Sequence, residues 1–203
     1  MLSQRSWKRK LRMAGIAVGA LALTVCTSVP LAYGHGYSTG PISRAKNCQE
    51  GNVTNCGQIQ WEPQSVEGPK GFPQSGPADG KLCSAGLGQF AELDDQRGGT
   101  WPATQLQGGQ GFTFTWHLTA PHSTTDFKYY MTKQGWDPTQ PLTRAALDLN
   151  PFLTVTMNGT RPPYDVAHPG TIPSGRTGRH MILAVWTIAD TGNAFYQCSD
   201  VTF

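Results

Sequence analysis

The chain has 203 residues, a formal net charge of +3 and only 14% charged residues, with 24 glycines and 15 prolines. Five of its positive charges (Arg5, Lys8, Arg9, Lys10 and Arg12) lie in the first twelve residues, and no acid accompanies them before residue 35. Without that segment the net charge moves from +3 to −2, and a mildly acidic domain gives no basis for nucleic-acid binding.

In chain order, the basic start is followed by an apolar run from Met13 to about Val29 and then by Ala32-Tyr33-Gly34. Charged, apolar and small residues in that order read as a secretory signal peptide over 1–34, cut after Gly34. The mature chain would then run from His35 to Phe203 as a single domain, secreted and extracellular. No second apolar run approaches membrane-spanning length, so no membrane association is expected after processing. Cleavage at that point frees an α-amine on His35. The amine nitrogen and the imidazole of one residue can then chelate one metal ion.

Residues 49–111 carry many glycines and prolines, including GPKGFPQSGPADGK at 68–81. So long an irregular stretch in a compact domain is functional or disordered. Trp61, Phe72, Phe90 and Trp101 argue that it is ordered, with a few helical turns. Cys26 leaves with the leader, and Cys48, Cys56, Cys83 and Cys198 remain. An even count in an exported chain reads as two disulfides, with three possible pairings. Cys48–Cys56 with Cys83–Cys198 is preferred. The first closes a short loop, and the second ties the long loop region to the last strand. A zinc site fits the spacing poorly, because no close C-x-x-C pair exists.

The second half is dominated by strand patterns. Phe112, Phe114, Trp116 and Leu118 alternate with Thr113, Thr115 and His117, and Phe127, Tyr129 and Met131 repeat the period. Residues 152–157 and 180–189 are strand-length apolar or β-branched runs, and Phe195–Phe203 reads as the final strand. These short strands predict an all-β fold. The architecture expected is an immunoglobulin/fibronectin-like antiparallel β-sandwich with a long, partly helical loop region between its first strands.

Besides His35, histidines stand at 117, 122, 168 and 180. His35 needs one more imidazole to complete a planar three-nitrogen site, a geometry that suits copper. Spacing alone does not choose the partner. His117 reads as an exposed or cross-strand residue. His168 precedes Pro169 in an expected loop, and His180 starts a strand; both read as ordinary surface or core-edge residues. His122 follows Ala120-Pro121, where the strand must end, and so sits in a loop at the rim of the sandwich.

Five segments in order across the expected mature chain carry a resemblance: HGYSTGPISRAKNC at 35–48, WEPQSVEGPKGFPQSGPADG at 61–80, TAPHSTT at 119–125, QGWDPTQPLTRAALDL at 134–149 and ILAVWTIADTGNAFYQ at 182–197. Together they resemble the bacterial lytic polysaccharide monooxygenases of auxiliary-activity family ten, first described as chitin-binding proteins. The resemblance implies one copper ion held by His35 and His122, the family's histidine brace. It implies Phe195 at the axial position, Ala120 near the open metal face and Glu67 beside it. It also implies a flat substrate-facing surface with Trp61, Glu62, Glu67, Asp190 and Asn193.

Read without the resemblance, Phe195 is a core residue of the last strand, Glu67 a loop acid, Trp61 a satellite-core aromatic, and Asp190 and Asn193 turn residues. Trp61 stands where many chitin-active relatives carry Tyr. Pro121 stands where a charged residue occurs in some, and Cys83 and Cys198 are not shared by all. The activity implied is oxidative cleavage of crystalline chitin at carbon 1, with cellulose as the second substrate. It uses an external electron donor and dioxygen or hydrogen peroxide, and the protein is expected to act as a monomer. A chitin-binding module without turnover and an exported copper carrier are the readings from other classes.

Overall fold

The alternation at 112–118 becomes a long strand, β4 (Gly111–Ala120), with Phe114, Trp116 and Leu118 buried. A computed structural model describes residues 34–203. The expected leader, Cys26 included, lies outside the described residues apart from its last residue, Gly34. β4 is the middle strand of a three-stranded antiparallel sheet, between β1 (His35–Gly40) and β7 (Asp165–Thr171). The larger sheet runs β2 (Glu67–Pro69), β9 (Asn193–Thr202), β8 (Arg179–Ile188), β5 (Thr124–Met131), β6 (Leu153–Thr156). These neighbours are antiparallel, and the two-residue β3 (Thr104–Gln105) joins β9 in parallel.

The antiparallel sandwich is therefore present, with two cores. One lies between the sheets and contains Phe114, Trp116, Leu118, Phe127, Tyr129, Trp186 and Phe195. The other lies under the long loop region, where Ile59, Val66, Phe72, Phe90 and Trp101 pack with Tyr130, Leu183 and Tyr196. β8 and β9 are thus covered on both faces, which is why their sequences are apolar or buried at nearly every position rather than alternating.

The loop region is ordered by short elements. These are a helix α1 (Arg44–Gln49) and 3-10 turns at Gly57–Trp61, Gly88–Leu93 and Arg97–Gly99. Cys48 pairs with Cys56 and Cys83 with Cys198, the preferred pairing. A buried ionic knot adds to the disulfides. Arg44 on α1 donates to both oxygens of Asp200 on β9 at 2.7 and 3.1 Å, to the Leu93 carbonyl at 2.8 Å and to Gln96 Oε1 at 2.9 Å. Its guanidinium lies 4.7 Å from the centre of the Trp101 ring. Each donor of a buried charge needs a partner, and this cluster meets the need with three segments far apart in sequence.

Two histidine expectations are corrected. His168 is in strand β7, not a loop, and is only 5% exposed. β7 is an edge strand, where Pro169 withholds no needed ladder donor. Trp116 Nε1–H donates to the Tyr129 hydroxyl at 3.1 Å, and that hydroxyl stands 2.7 Å from His168 Nδ1. The Tyr129 hydroxyl thus partners both rings, and burial keeps His168 a neutral core residue. His180 is also fully buried, with Nδ1 2.8 Å from the Thr132 hydroxyl. His117 is the cross-strand residue expected, 2.7 Å from Asp165 on β7.

Burial holds the His168 pKa down to about 4 from an ordinary 6.5 and lowers that of His180 as well. The unfolded chain takes up these protons as pH falls through about 6.5, and the folded chain refuses that of His168 until about 4. Stability should therefore be complete above pH 6.5 and drain away between 6.5 and 4. Urea midpoints at pH 7, 5.5 and 4.5 will show this. His168→Gln should be less stable at pH 7 but have a shallower slope across the same window. Arg44→Met should cost about 3 kcal/mol by denaturant titration, because it strands a buried carboxylate. The cost sits at the low end of that class because Arg179 lies 3.7 Å from Asp200.

Candidate metal centre

The first residue of β1 and the last of β4 are Cα partners, His35 opposite Ala120. Two residues beyond Ala120, past the strand end, is His122. Antiparallel pairing thus brings together two histidines that are distant in sequence. The register then shifts, so that Tyr37 faces His117. This bulge sits where β1 presses close to β4. A Cβ at Gly36 would lie 2.6 Å from Leu118 Cδ2 and 3.1 Å from the His117 carbonyl oxygen. Glycine at 36 is what lets the two backbones approach.

Phe195 closes the cluster from below. It is fully buried, its ring centre lies 6.2 Å from that of His35, and it stacks on Trp186 at 4.9 Å. A Cβ at Gly34 would lie 3.1 Å from Phe195 Cε2 and 3.4 Å from His122 Cβ. The chain therefore enters β1 directly over both side chains. Trp186 also anchors the His122 loop, because its Nε1–H donates to Thr124 Oγ1 at 2.7 Å and that hydroxyl donates to the His122 carbonyl at 2.9 Å.

Glu67 on β2 is the Cα partner of Phe195, and its Oε1 accepts from Asn193 Nδ2 at 2.8 Å. Asp190, in the turn between β8 and β9, places Oδ1 3.0 Å from His122 Nδ1. That contact is within ion-pair reach but outside hydrogen-bond alignment, so the buried Nδ1 has no well-aligned partner. The carboxylate nonetheless favours a proton on Nδ1 and would leave the Nε2 lone pair free for a metal ion. His35, Ala120, His122, Phe195, Glu67, Asn193 and Asp190 are thus brought to one end of the sandwich.

Trp61 and Glu62 join this end through backbone. Glu62 O accepts from Ser65 N–H, Ser65 O accepts from Glu67 N–H, and Gln64 O accepts from Gly36 N–H, at 2.9, 2.8 and 3.1 Å. Trp61, at 77% exposure, is no satellite-core residue but the most exposed large hydrophobic side chain among those described. The sequence reading missed Thr124 and Lys70. Lys70 binds carbonyls of the turn that carries Asp190. Lys70, one of two lysines in the glycine- and proline-rich stretch at 68–81, carries no local signal of such a role.

The residues fit a copper ion on their chemistry. Among the described residues no group of three or more His, Cys, Asp and Glu side chains gathers as a metal site. A brace needs only two imidazoles and an amine, a neutral nitrogen set that copper accepts in both oxidation states. Before cleavage the His35 nitrogen is an amide to Gly34, which is no ligand at neutral pH, so the fit requires processing.

Comparison with known proteins agrees. The family model described as "Lytic polysaccharide mono-oxygenase, cellulose-degrading" matches residues 35–201. A solved auxiliary-activity family ten lytic polysaccharide monooxygenase from Streptomyces lividans is 61% identical, with a TM-score of 0.82 over 83% of this chain and 100% of that one. A Bacillus amyloliquefaciens CBM33 protein, solved in complex with Cu(I), is 40% identical with a TM-score of 0.75 over 83% of this chain and 99% of that one. The GlcNAc-binding protein A of Shewanella oneidensis is 44% identical over 95% of this chain and 41% of its own length. The chain spans about half or less of the curated relatives it matches. With the fold, the clustered histidines and these matches together, the chain belongs to the lytic polysaccharide monooxygenases of auxiliary-activity family ten, whose members are copper-dependent enzymes.

Proposed function

We propose that the chain, once cut after Gly34 and exported, is a monomeric copper monooxygenase that oxidatively cleaves crystalline chitin at carbon 1. The observation that carries this reading is the meeting of His35 and His122 over Phe195, at the point where the chain enters β1. His35, through its amine and imidazole, and His122, through Nε2, would hold the ion. Copper bound there supplies the one-electron redox chemistry by which an external electron donor and dioxygen or hydrogen peroxide oxidise the sugar.

The chain's own residues do the rest. Phe195 is fully buried and stacked on Trp186, and it would keep water and polar groups away from a bound ion. Ala120, opposite His35, offers a methyl group where a larger side chain would crowd the open face. Glu67, fixed by Asn193, presents the second carboxylate oxygen to hold or move a proton. Trp61 offers an exposed ring to stack on the apolar face of a pyranose, and Glu62, Glu67, Asp190 and Asn193 offer partners for hydroxyl and amide groups.

Chitin is favoured because a close relative is named as a GlcNAc-binding protein and because Glu62 follows the exposed Trp61 directly in the chain. Cellulose is the second reading, supported by the wording of the matched family. Mass spectrometry of products from β-chitin with copper and ascorbate tests the proposal, run beside cellulose. Aldonic-acid oligomers from chitin are expected. None from either polymer would leave a binding module or a copper carrier, and these part on affinity for chitin.

His122→Ala should lower oxidised product by about 100-fold or more, with a comparable loss of Cu(II) affinity by calorimetry, because a first ligand matters at least as much as its supports. Trp61→Ala should leave the melting temperature unchanged. It should weaken chitin binding by about tenfold, the equivalent of about 1.4 kcal/mol of ring contact. Depletion of protein from solution by chitin beads reads this directly.

A further inference from the structure

We infer that Lys70 is a positioning residue for the centre, acting through the turn between β8 and β9 and touching neither metal nor substrate. The inference rests on the reading of the site given above. Lys70 follows β2 directly, and three of its contacts fall on the last residue of β8 and the turn after it. Its Nζ donates to the Ile188 carbonyl at 3.3 Å and to the Thr191 carbonyl, and its own N–H donates to the Gly192 carbonyl at 2.9 Å. Among the described residues Lys70 takes part in no ion pair. A partly buried ammonium that binds only carbonyls serves the shape of the backbone it binds.

Asp190 lies in that turn, and Asn193 is the first residue of β9 directly after it; each stands against a group of the centre. Asp190 lies 3.0 Å from His122 Nδ1, and Asn193 donates to Glu67 Oε1 at 2.8 Å. On its other side the turn is tied to the His122 loop, because Ala189 N–H donates to the Ser123 carbonyl at 2.9 Å. The turn is therefore gripped from two directions, by Ser123 near its start and by Lys70 across Ile188, Thr191 and Gly192. Without Lys70, the Ile188 and Thr191 carbonyls would turn to water and the Lys70 side of the grip would loosen. Asp190 and Asn193 would move together, and with them the His122 ring and the Glu67 carboxylate. One lysine thus couples the orientation of a metal ligand to the position of a carboxylate on a different strand.

Lys70→Met, made in the processed chain, tests this. In the metal-free protein the ring 1H–15N signals of His122 should shift, and in the Cu(II)-loaded protein the EPR hyperfine splitting should change. Product formation on chitin should fall about tenfold, in the range found when supports of metal ligands are removed. Lys70→Arg, which keeps donors at that site, should move all three readouts back toward the parent. Combined with Asn193→Ala, the loss should be less than additive, since both act on Glu67. Unchanged His122 signals and EPR in Lys70→Met would overturn the inference, as would a rate loss that adds fully to that of Asn193→Ala. If Lys70→Met does not fold, Lys70→Gln decides by the same readouts. If the parent forms no oxidised sugar, the substrate reading fails, and the metal-free His122 signals still judge Lys70.

Discussion

The antiparallel pairing of β1 with β4 is the constraint on which the rest depends. His35 can meet His122 only because Ala120 is its Cα partner. In a sheet, a slip of one residue turns every side chain to the opposite face. Here a slip would turn the His35 ring away from Phe195 and detach the chain's entry point from His122. The bulge after His35 and the bare Cα of Gly36 fix the register. A glycine at 36 costs backbone entropy in a strand. The close approach of the two backbones offsets that cost by seating the strand end in a single way.

What lies beneath the strand ends is rigid. β8 and β9 form a two-sided core, and Trp186 and Phe195 are stacked in its centre. From that stack, contacts run outward to the His122 carbonyl through Thr124, and across the strand pair to Glu67. The groups proposed to hold and serve the ion are thus fixed to packed elements: His35, Glu67, Ala120, Asn193 and Phe195 lie on strands, and His122 and Asp190 in loops tied to them. This division suits redox chemistry at a neutral nitrogen site, where the ligands must keep their places in two oxidation states of the metal.

The sandwich was largely legible because its central strands write their burial into the sequence. Phe114, Trp116 and Leu118 alternate with threonines, and residues 180–189 form one apolar run. The loop placement of His122 was legible because Pro121 must end the strand before it, while its choice as partner of His35 came from the family resemblance. β7 was not, since His168 and Pro169 are both poor strand markers. Only the Tyr129 hydroxyl, supplied by another strand, makes His168 a satisfied core residue. β1 was equally hidden, because glycine, serine and threonine give it no apolar period and pairing alone makes it a strand. Lys70 shows a further limit. Its role depends on carbonyls more than one hundred residues away in the chain, and no local pattern encodes that meeting.

The long loop region is best understood through the cost of order. An exposed Trp61 contributes to binding only what remains after its segment has been immobilised. On a flexible loop, that ordering cost would consume most of the contact energy of one ring. Here the segment is ordered before any ligand arrives. The Cys48–Cys56 bridge ends at the residue before the 3-10 turn that carries Trp61, and Ile59 within that turn is completely buried. Farther along, the Cys83–Cys198 bridge and the Arg44–Asp200 knot fasten the same region to β9, the strand that also holds Phe195. One strand therefore serves as common foundation for the proposed metal centre and the proposed binding face. If the substrate is a solid, as proposed, it cannot adjust its shape to the protein, so the distance between Trp61 and the proposed metal centre would have to be built in beforehand, and β9 is the strand that both are fastened to.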